Sequence, residues 1–187
     1  NSSEECVDVR RHCAALITPM IKAKKTQAEL LERFRPLFLP RTVAVVGAST
    51  KGAALANIFI RRIRSFGFSG PIYPIHPSAD TIEGLPAYRS LADTPEPVDY
   101  AYVAIAAAQI PRLLASANGR VQYAQVISSG FGESGEGKEL ERELVEAAAA
   151  GGLRLLGPNC MGIYTPRGKI TYTEIGSSAI GGGGGIS

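Results

Sequence analysis

From Arg41 onward, short β-branched runs alternate with helix-length amphipathic segments, and the first such unit constrains the fold most. Thr42–Val46 is an apolar run of strand length, followed at once by Gly47-Ala48-Ser49-Thr50-Lys51-Gly52. Leu55, Ile58, Phe59, Ile63 and Phe66 then recur at helical spacing and define one apolar face. Gly67 and Gly70 close that helix, and Pro71–His76 reads as a second strand. The alternation continues with strand Asp99–Ala106, helix Ile110–Ala117, strand Val121–Ser128, helix Glu136–Ala150 and strand Leu153–Leu156. Such a succession predicts an α/β fold, a doubly wound parallel sheet with right-handed crossovers. Tyr164–Thr173, broken by Pro166-Arg167-Gly168, reads as a β-excursion, and residues 177–187 as a glycine-rich linker.

The first 38 residues have another texture: charged, helix-prone and without glycine. Thr26 and Glu29 have capping-box spacing ahead of Leu30, Leu31 and Phe34, which predicts a helix from Thr26 that Pro36 stops. The chain begins with Asn, as a processed or cut chain would. Glu4, Glu5 and Asp8 argue against a transit peptide, and a secretory apolar core is lacking. This segment is read as an N-terminal helical extension that packs on the domain or on a partner.

Composition excludes several classes. A net charge of +3 is too mild to indicate nucleic-acid binding, and charges, Pro or Gly interrupt every apolar run before it reaches membrane length. Cys6, Cys13 and Cys160 are odd in number and lack metal-type spacing, so neither a disulfide framework nor a metal site is indicated. His12 and His76 are the two histidines.

In a doubly wound sheet, ligands bind beyond the carboxyl ends of the strands. There Gly47 permits a tight turn, Ser49 offers a hydroxyl, and the next helix begins with free backbone N–H groups suited to phosphate oxygens. The loop is neither a full G-x-G-x-x-G nor a P-loop, since Ser49 stands at a glycine position and Lys51 precedes the last glycine. A plain strand–helix turn competes with a phosphate cradle; the position after the first strand favours the cradle. The second strand ends in Ile75-His76-Pro77-Ser78 with Asp80 arriving late, which weakens a dinucleotide reading that needs an acid for the ribose. His76 is expected to pack on ligand or cap backbone. Ser128-Ser129-Gly130 ends the fourth strand, where ligand contact and helix capping before Glu136 compete. Asn159 and Cys160 follow the fifth strand, with Cys160 expected as a buried packing thiol. Arg61, Arg62 and Arg64 are expected to complement the helix dipole and meet solvent.

As an ordered set, Pro40–Ser49, the Ile72–Pro77 strand, Ile127–Gly132 and Gly157–Gly162 resemble the CoA-binding domain of NDP-forming acyl-CoA synthetases. That family includes ADP-forming acetate–CoA ligases and the succinyl-CoA synthetase α subunit. The resemblance covers Leu39 to Ser187 and implies a Rossmann-like domain over 39–176. It also implies coenzyme A as substrate along the carboxyl edge. The phosphates would lie near Gly47, Ala48, Ser49, Thr50, Lys51 and Gly52, and adenine near His76, Pro77 and Ser78. Pantetheine would pass Ala106, Ala107, Ser128, Ser129 and Gly130 toward Asn159 and Cys160. Two departures stand out: His76-Pro77-Ser78 replaces a common Asn-Pro-Lys, and Ala106-Ala107-Ala108 replaces Val-Pro-Ala.

The resemblance further implies an acid–thiol ligase that works through acyl phosphate and a phosphohistidine in a downstream domain, with ATP or GTP and Mg held by an ATP-grasp β-type domain or subunit. It implies an oligomer, in the cytoplasm or, in a eukaryote, the mitochondrial matrix. Two other readings stay open: an NAD(H)-responsive binding module, and a non-catalytic subunit that has kept the CoA-binding fold.

Overall fold

In the computed structural model, which describes residues 26–132 and 135–173, the apolar runs become a five-stranded parallel sheet. The elements are α1 (Gln27–Phe38), β1 (Val43–Val46), α2 (Leu55–Ser65), β2 (Ile72–Ile75), β3 (Thr81–Ile82) and β4 (Leu85–Pro86). They continue with β5 (Val98–Val103), α3 (Ile110–Ala115), β6 (Val121–Val126), α4 (Gly135–Ala150) and β7 (Arg154–Leu156). Strand order is β2-β1-β5-β6-β7, every pair parallel.

Burial on both faces explains why these strands read as near-continuous apolar runs. Along β1, Val43 and Val45 join Ala56, Phe59, Ile60 and Ile63 of α2 with Tyr100 and Tyr102 of β5. Ala44 and Val46 point the other way, into a layer with Ile110 and Leu114 of α3 and Leu144 and Ala148 of α4. The α2 layer is aromatic: Phe59 stacks on Tyr102 with ring centroids 4.1 Å apart. Helices therefore cover both faces, as the alternation predicts. The chain winds from β1 out to β2, then crosses back past β1 to β5. The winding reverses between β1 and β5, where a crevice opens at the carboxyl ends.

The chain divides after Arg33 into two compact units. In the first, the predicted capping box forms: the Thr26 N–H donates to Glu29 Oε2 at 2.7 Å and the Glu29 N–H to Thr26 Oγ1 at 3.2 Å. Pro36 does not stop α1, which runs two residues further. A proline in the last turn removes one hydrogen bond, and buried Leu37 offsets that loss.

Gly67 does end α2: at φ +95° it lets the Phe68 N–H reach the Ile63 carbonyl, a Schellman closure. Tyr164–Thr173 is less regular than a β-excursion, with one isolated bridge, Thr165 to Ile170. Thr165 Oγ1 donates to the Phe38 carbonyl, and Gly168 lies so close to that oxygen that a Cβ would sit 2.1 Å from it. Residues 177–187 lie outside the described residues.

The hairpin β3–β4 was not anticipated. Its two-residue turn, Glu83-Gly84, has φ +52° and +75°, the signature of a type I′ turn. Asn, Asp and Gly are the residues that usually accept that geometry, so Glu83 carries no strong hairpin signal.

Candidate functional site

The five loops at the carboxyl edge stand in sheet order: 76–78 after β2, 47–52 after β1, 104–107 after β5, 127–130 after β6 and 157–160 after β7. Four strand spacings span about 19 Å. All sixteen residues singled out in the sequence lie on this edge, and several are tied together directly.

The β1 and β5 loops meet at the winding reversal. Gly47, at φ +99°, approaches β5 so closely that a Cβ would stand 2.1 Å from the Ala104 carbonyl oxygen. Only glycine fits there. Ser128 links three loops: its hydroxyl donates to the Ile105 carbonyl at 2.5 Å, and its carbonyl accepts the Asn159 N–H at 3.1 Å. The Cys160 N–H closes on the Val126 carbonyl at 3.2 Å. Gly130 faces Ala107, and a Cβ on it would lie 3.6 Å from the Ala107 Cβ. Ser129 and Gly130 are exposed, as are Ala106 and Asn159.

The loop from Gly47 to Gly52 is held from behind. Asn57, one turn into α2 and 1% exposed, pairs its amide with the Ser49 peptide group. Its Oδ1 accepts the Ser49 N–H at 2.7 Å and its Nδ2 donates to the Ser49 carbonyl at 2.8 Å. The Lys51 N–H turns back to Ser49 Oγ at 3.1 Å and the Gly52 N–H to the Ser49 carbonyl at 3.1 Å. With the loop satisfied in this way, the N–H groups of Ala53, Ala54, Leu55 and Ala56 have no acceptor among the described residues. Ala54, the N-cap, makes no side-chain capping bond either. Ala56 is fully buried, so three of these donors, on Ala53, Ala54 and Leu55, are accessible at the positive end of an eleven-residue helix, where they favour an anion. Exposed Lys51 makes no ion pair among the described residues and adds positive charge beside them.

His76 caps backbone: its Nδ1 accepts the Ala79 N–H at 2.9 Å and the Ser78 N–H at 3.2 Å. Accepting through Nδ1 places the ring proton on Nε2. Pro77 and Ser78 are exposed beside it. Asp80, the late acid of this loop, is paired with Arg89 at 2.7 Å.

Cys160 is partly exposed rather than buried, and its turn is tied to a buried polar pair. Gln125 Nε2 donates to the Cys160 carbonyl at 2.9 Å, and Gln125 Oε1 accepts the hydroxyl of Tyr100. Burial pushes the Tyr100 hydroxyl well above the ordinary tyrosine pKa, so it stays a donor.

The three arginines do not simply meet solvent. Arg61 Nη1 donates to the Gly52 carbonyl at 3.0 Å and to Glu83 Oε1 at 2.6 Å; Arg64 donates to the Glu83 carbonyl at 3.1 Å, and Arg62 to the Tyr172 carbonyl. Each finds a tertiary acceptor in a segment distant in sequence. Sequence reasoning missed Asn57, Glu83 and Gln125. An available signal was a polar residue within an apolar stripe, as in Val121-Gln122-Tyr123-Ala124-Gln125-Val126.

A cavity of about 310 Å³ lies elsewhere, beside the amino-terminal half of β2, lined by Arg64, Phe68, Ile72, Tyr73 and Tyr88. None of the five edge loops lines it. No helix among the described residues is long and apolar enough to cross a membrane, and no group of three or more His, Cys, Asp or Glu among them could hold a metal ion.

The family model described as "CoA binding domain" matches residues 41–166. The chain is 43% identical over 145 residues to the ADP-forming acetate–CoA ligase II of Archaeoglobus fulgidus, covering 75% of this chain and 21% of that protein. It is 39% identical over 137 residues to the α subunit of the ADP-forming acetate–CoA ligase I of Pyrococcus furiosus, covering 70% and 30%. Among solved structures it is similar to the apo form of the dinucleotide-forming acetyl-coenzyme A synthetase 1 of Ca. Korarchaeum cryptofilum. That match has a TM-score of 0.69 at 38% identity, covering 75% of this chain and 31% of the other. The chain thus spans about a fifth to a third of the length of these relatives.

Proposed function

Because this chain belongs to the CoA binding domain family, the CoA-binding portion related to NDP-forming acyl-CoA synthetases, we propose that its carboxyl-edge loops hold coenzyme A in the order of the strands. The observation that carries this reading is the set of three accessible, unpaired N–H donors, Ala53, Ala54 and Leu55, at the start of α2, beside the point where the winding reverses. They would receive the diphosphate, with Lys51 contributing charge. The loop at His76, Pro77 and Ser78 would take the adenine end, where the exposed Ser78 offers a hydroxyl and no cation. Pantetheine would run past Ala106 and Ala107, over Ser129 and Gly130, to the turn at Asn159 and Cys160. The neutral thiol end meets loops braced by backbone bonds rather than by charge.

The similarity to ADP-forming acetate–CoA ligases makes acetate–CoA ligation the best model for the whole reaction. In this proposal residues 39–176 bind and orient CoA. The acyl phosphate, the phosphohistidine and the Mg-nucleotide belong to other domains or to an ATP-grasp partner, within an oligomer. Residues 177–187 would lead toward the first of these domains. Neither histidine lies in a phosphohistidine motif, and His76 is engaged in backbone capping. Cytoplasm or mitochondrial matrix, where CoA thioesters are made, is the compartment this role requires. An NAD(H) site is disfavoured, since Asp80 is occupied by Arg89 and no acid stands at the end of β2.

Isothermal calorimetry of this chain with CoA and dephospho-CoA tests the reading. Saturable CoA binding is expected, and Ser49→Asp, which sets a carboxylate beside the phosphate donors, should weaken it about tenfold with folding intact. Absence of heat at millimolar CoA overturns the reading.

A further inference from the structure

We infer that Glu83, at the tip of the β3–β4 hairpin, is a positioning residue that sets the phosphate-facing loop through Asn57 and Arg61; the inference rests on the CoA reading above. Glu83 Oε1 accepts from Asn57 Nδ2 at 2.8 Å and from Arg61 Nη1 at 2.6 Å. Asn57 grips both sides of the Ser49 peptide, and Arg61 holds the Gly52 carbonyl at 3.0 Å. One carboxylate oxygen thus anchors both ends of the loop. Asn57 and Arg61 are four residues apart on α2, on one face of the helix, so a single acceptor can hold both.

Two features separate positioning from accident. Glu83 occupies an αL position, φ +52°, in a type I′ turn that Asn or Asp accepts more readily. A non-glycine residue there is strained, and its side chain compensates only through these tertiary bonds. Second, its charge has the wrong sign for direct use: a carboxylate near a phosphate site repels the ligand. Glu83 acts through Arg61 and Asn57. The ion pair leaves the local charge near neutral, and the N–H groups of Ala53, Ala54 and Leu55, which are not buried, have no acceptor among the described residues.

The two features yield opposite signs in one experiment. Glu83→Asn suits the turn better and removes a negative charge, so a purely structural or electrostatic account expects an equal or higher melting temperature and equal or tighter CoA binding. Positioning expects the melting temperature to hold or rise while CoA affinity falls about tenfold, the usual effect of losing a charge-assisted hydrogen bond. Glu83→Gln, which keeps the length and one acceptor, should recover part of that loss. Amide hydrogen exchange on the ligand-free chain gives a second readout: the Ser49 and Gly52 N–H groups should exchange at least about tenfold faster in Glu83→Asn, with β5 and β6 unchanged. Unaltered exchange at Ser49 and Gly52, or CoA affinity equal to or above that of the parent chain, overturns the inference. If the parent chain binds no CoA while exchange responds as stated, the CoA reading fails and the positioning role stands.

Discussion

The two ends of the carboxyl edge solve different problems with different materials. At the β1 end, the loop from Gly47 to Gly52 closes one main-chain bond of its own, from the Gly52 N–H to the Ser49 carbonyl, and the donors that follow it stay unpaired. Side chains from α2 and a distant hairpin brace it, through Asn57, Arg61 and Glu83. At the β6–β7 end, nothing needs to stay free. There the main chain closes on itself, Asn159 to Ser128 and Cys160 to Val126, over a buried Gln125–Tyr100 pair. A site that reads charge keeps its donors open and pays with polar scaffolding behind them. A site that reads shape locks its backbone.

The largest expected effect comes from Gly47→Ala, at the junction of the two halves. Its Cβ would stand 2.1 Å from the Ala104 carbonyl oxygen at φ +99°, and backbone has to move. We expect a loss of about 3 kcal/mol or more, measured by urea unfolding. A change under about 1 kcal/mol would mean that the β1 and β5 loops are not in this close contact. Next in size is Gln125→Leu, which leaves the Cys160 carbonyl and the Tyr100 hydroxyl without their partner beneath the β7 turn. It should cost about 2 kcal/mol, with hydrogen exchange rising in 157–162 and not in 47–52. Equal rises in both loops would erase the distinction between the ends.

The smallest effect separates the ends by pH. Burial raises the Tyr100 hydroxyl above the ordinary tyrosine value, and burial with a hydrogen bond to Glu96 pushes Tyr73 up to about 12. The folded chain holds these protons more tightly than the unfolded chain does. Their contribution is full below the unfolded tyrosine pKa of about 10 and is lost as pH rises from there through the folded values. Alkaline melts followed by tyrosinate absorbance should show stability falling above that point, with Tyr100→Phe blunting the slope. The clamp around Ser49 contains no tyrosine, so protection of the Ser49 and Gly52 amides, with the base-catalysed rise in intrinsic exchange divided out, should stay flat until global unfolding.

How much of this was legible in the sequence follows the same division. The five strands of the parallel sheet and the helices were, because burial on two faces writes continuous apolar runs and burial on one writes helical stripes. The carboxyl-edge loops followed from their positions after those strands. The braces did not. Asn57 looks like an ordinary polar residue of an amphipathic helix, yet it is 1% exposed because its partner is the loop that precedes it. Arg61 and Arg64 read as solvent-facing because their acceptor, Glu83, lies in a hairpin whose turn residues do not announce one. Pro36 read as a stop, but the local cost of a proline is overruled where Leu37 is buried. Local chemistry is readable along the chain; long-range polar pairing requires knowing which segments meet.

The start of α2 has one more consequence. Its open donors, on Ala53, Ala54 and Leu55, stand at the start of a helix whose other face is packed into the core through Ala56, Phe59, Ile60 and Ile63. A phosphate docking there orders no protein backbone, so the entropic cost of association falls almost entirely on the flexible ligand. Such a site should bind inorganic diphosphate weakly and quickly, with little heat-capacity change, because neither folding nor apolar burial accompanies the event.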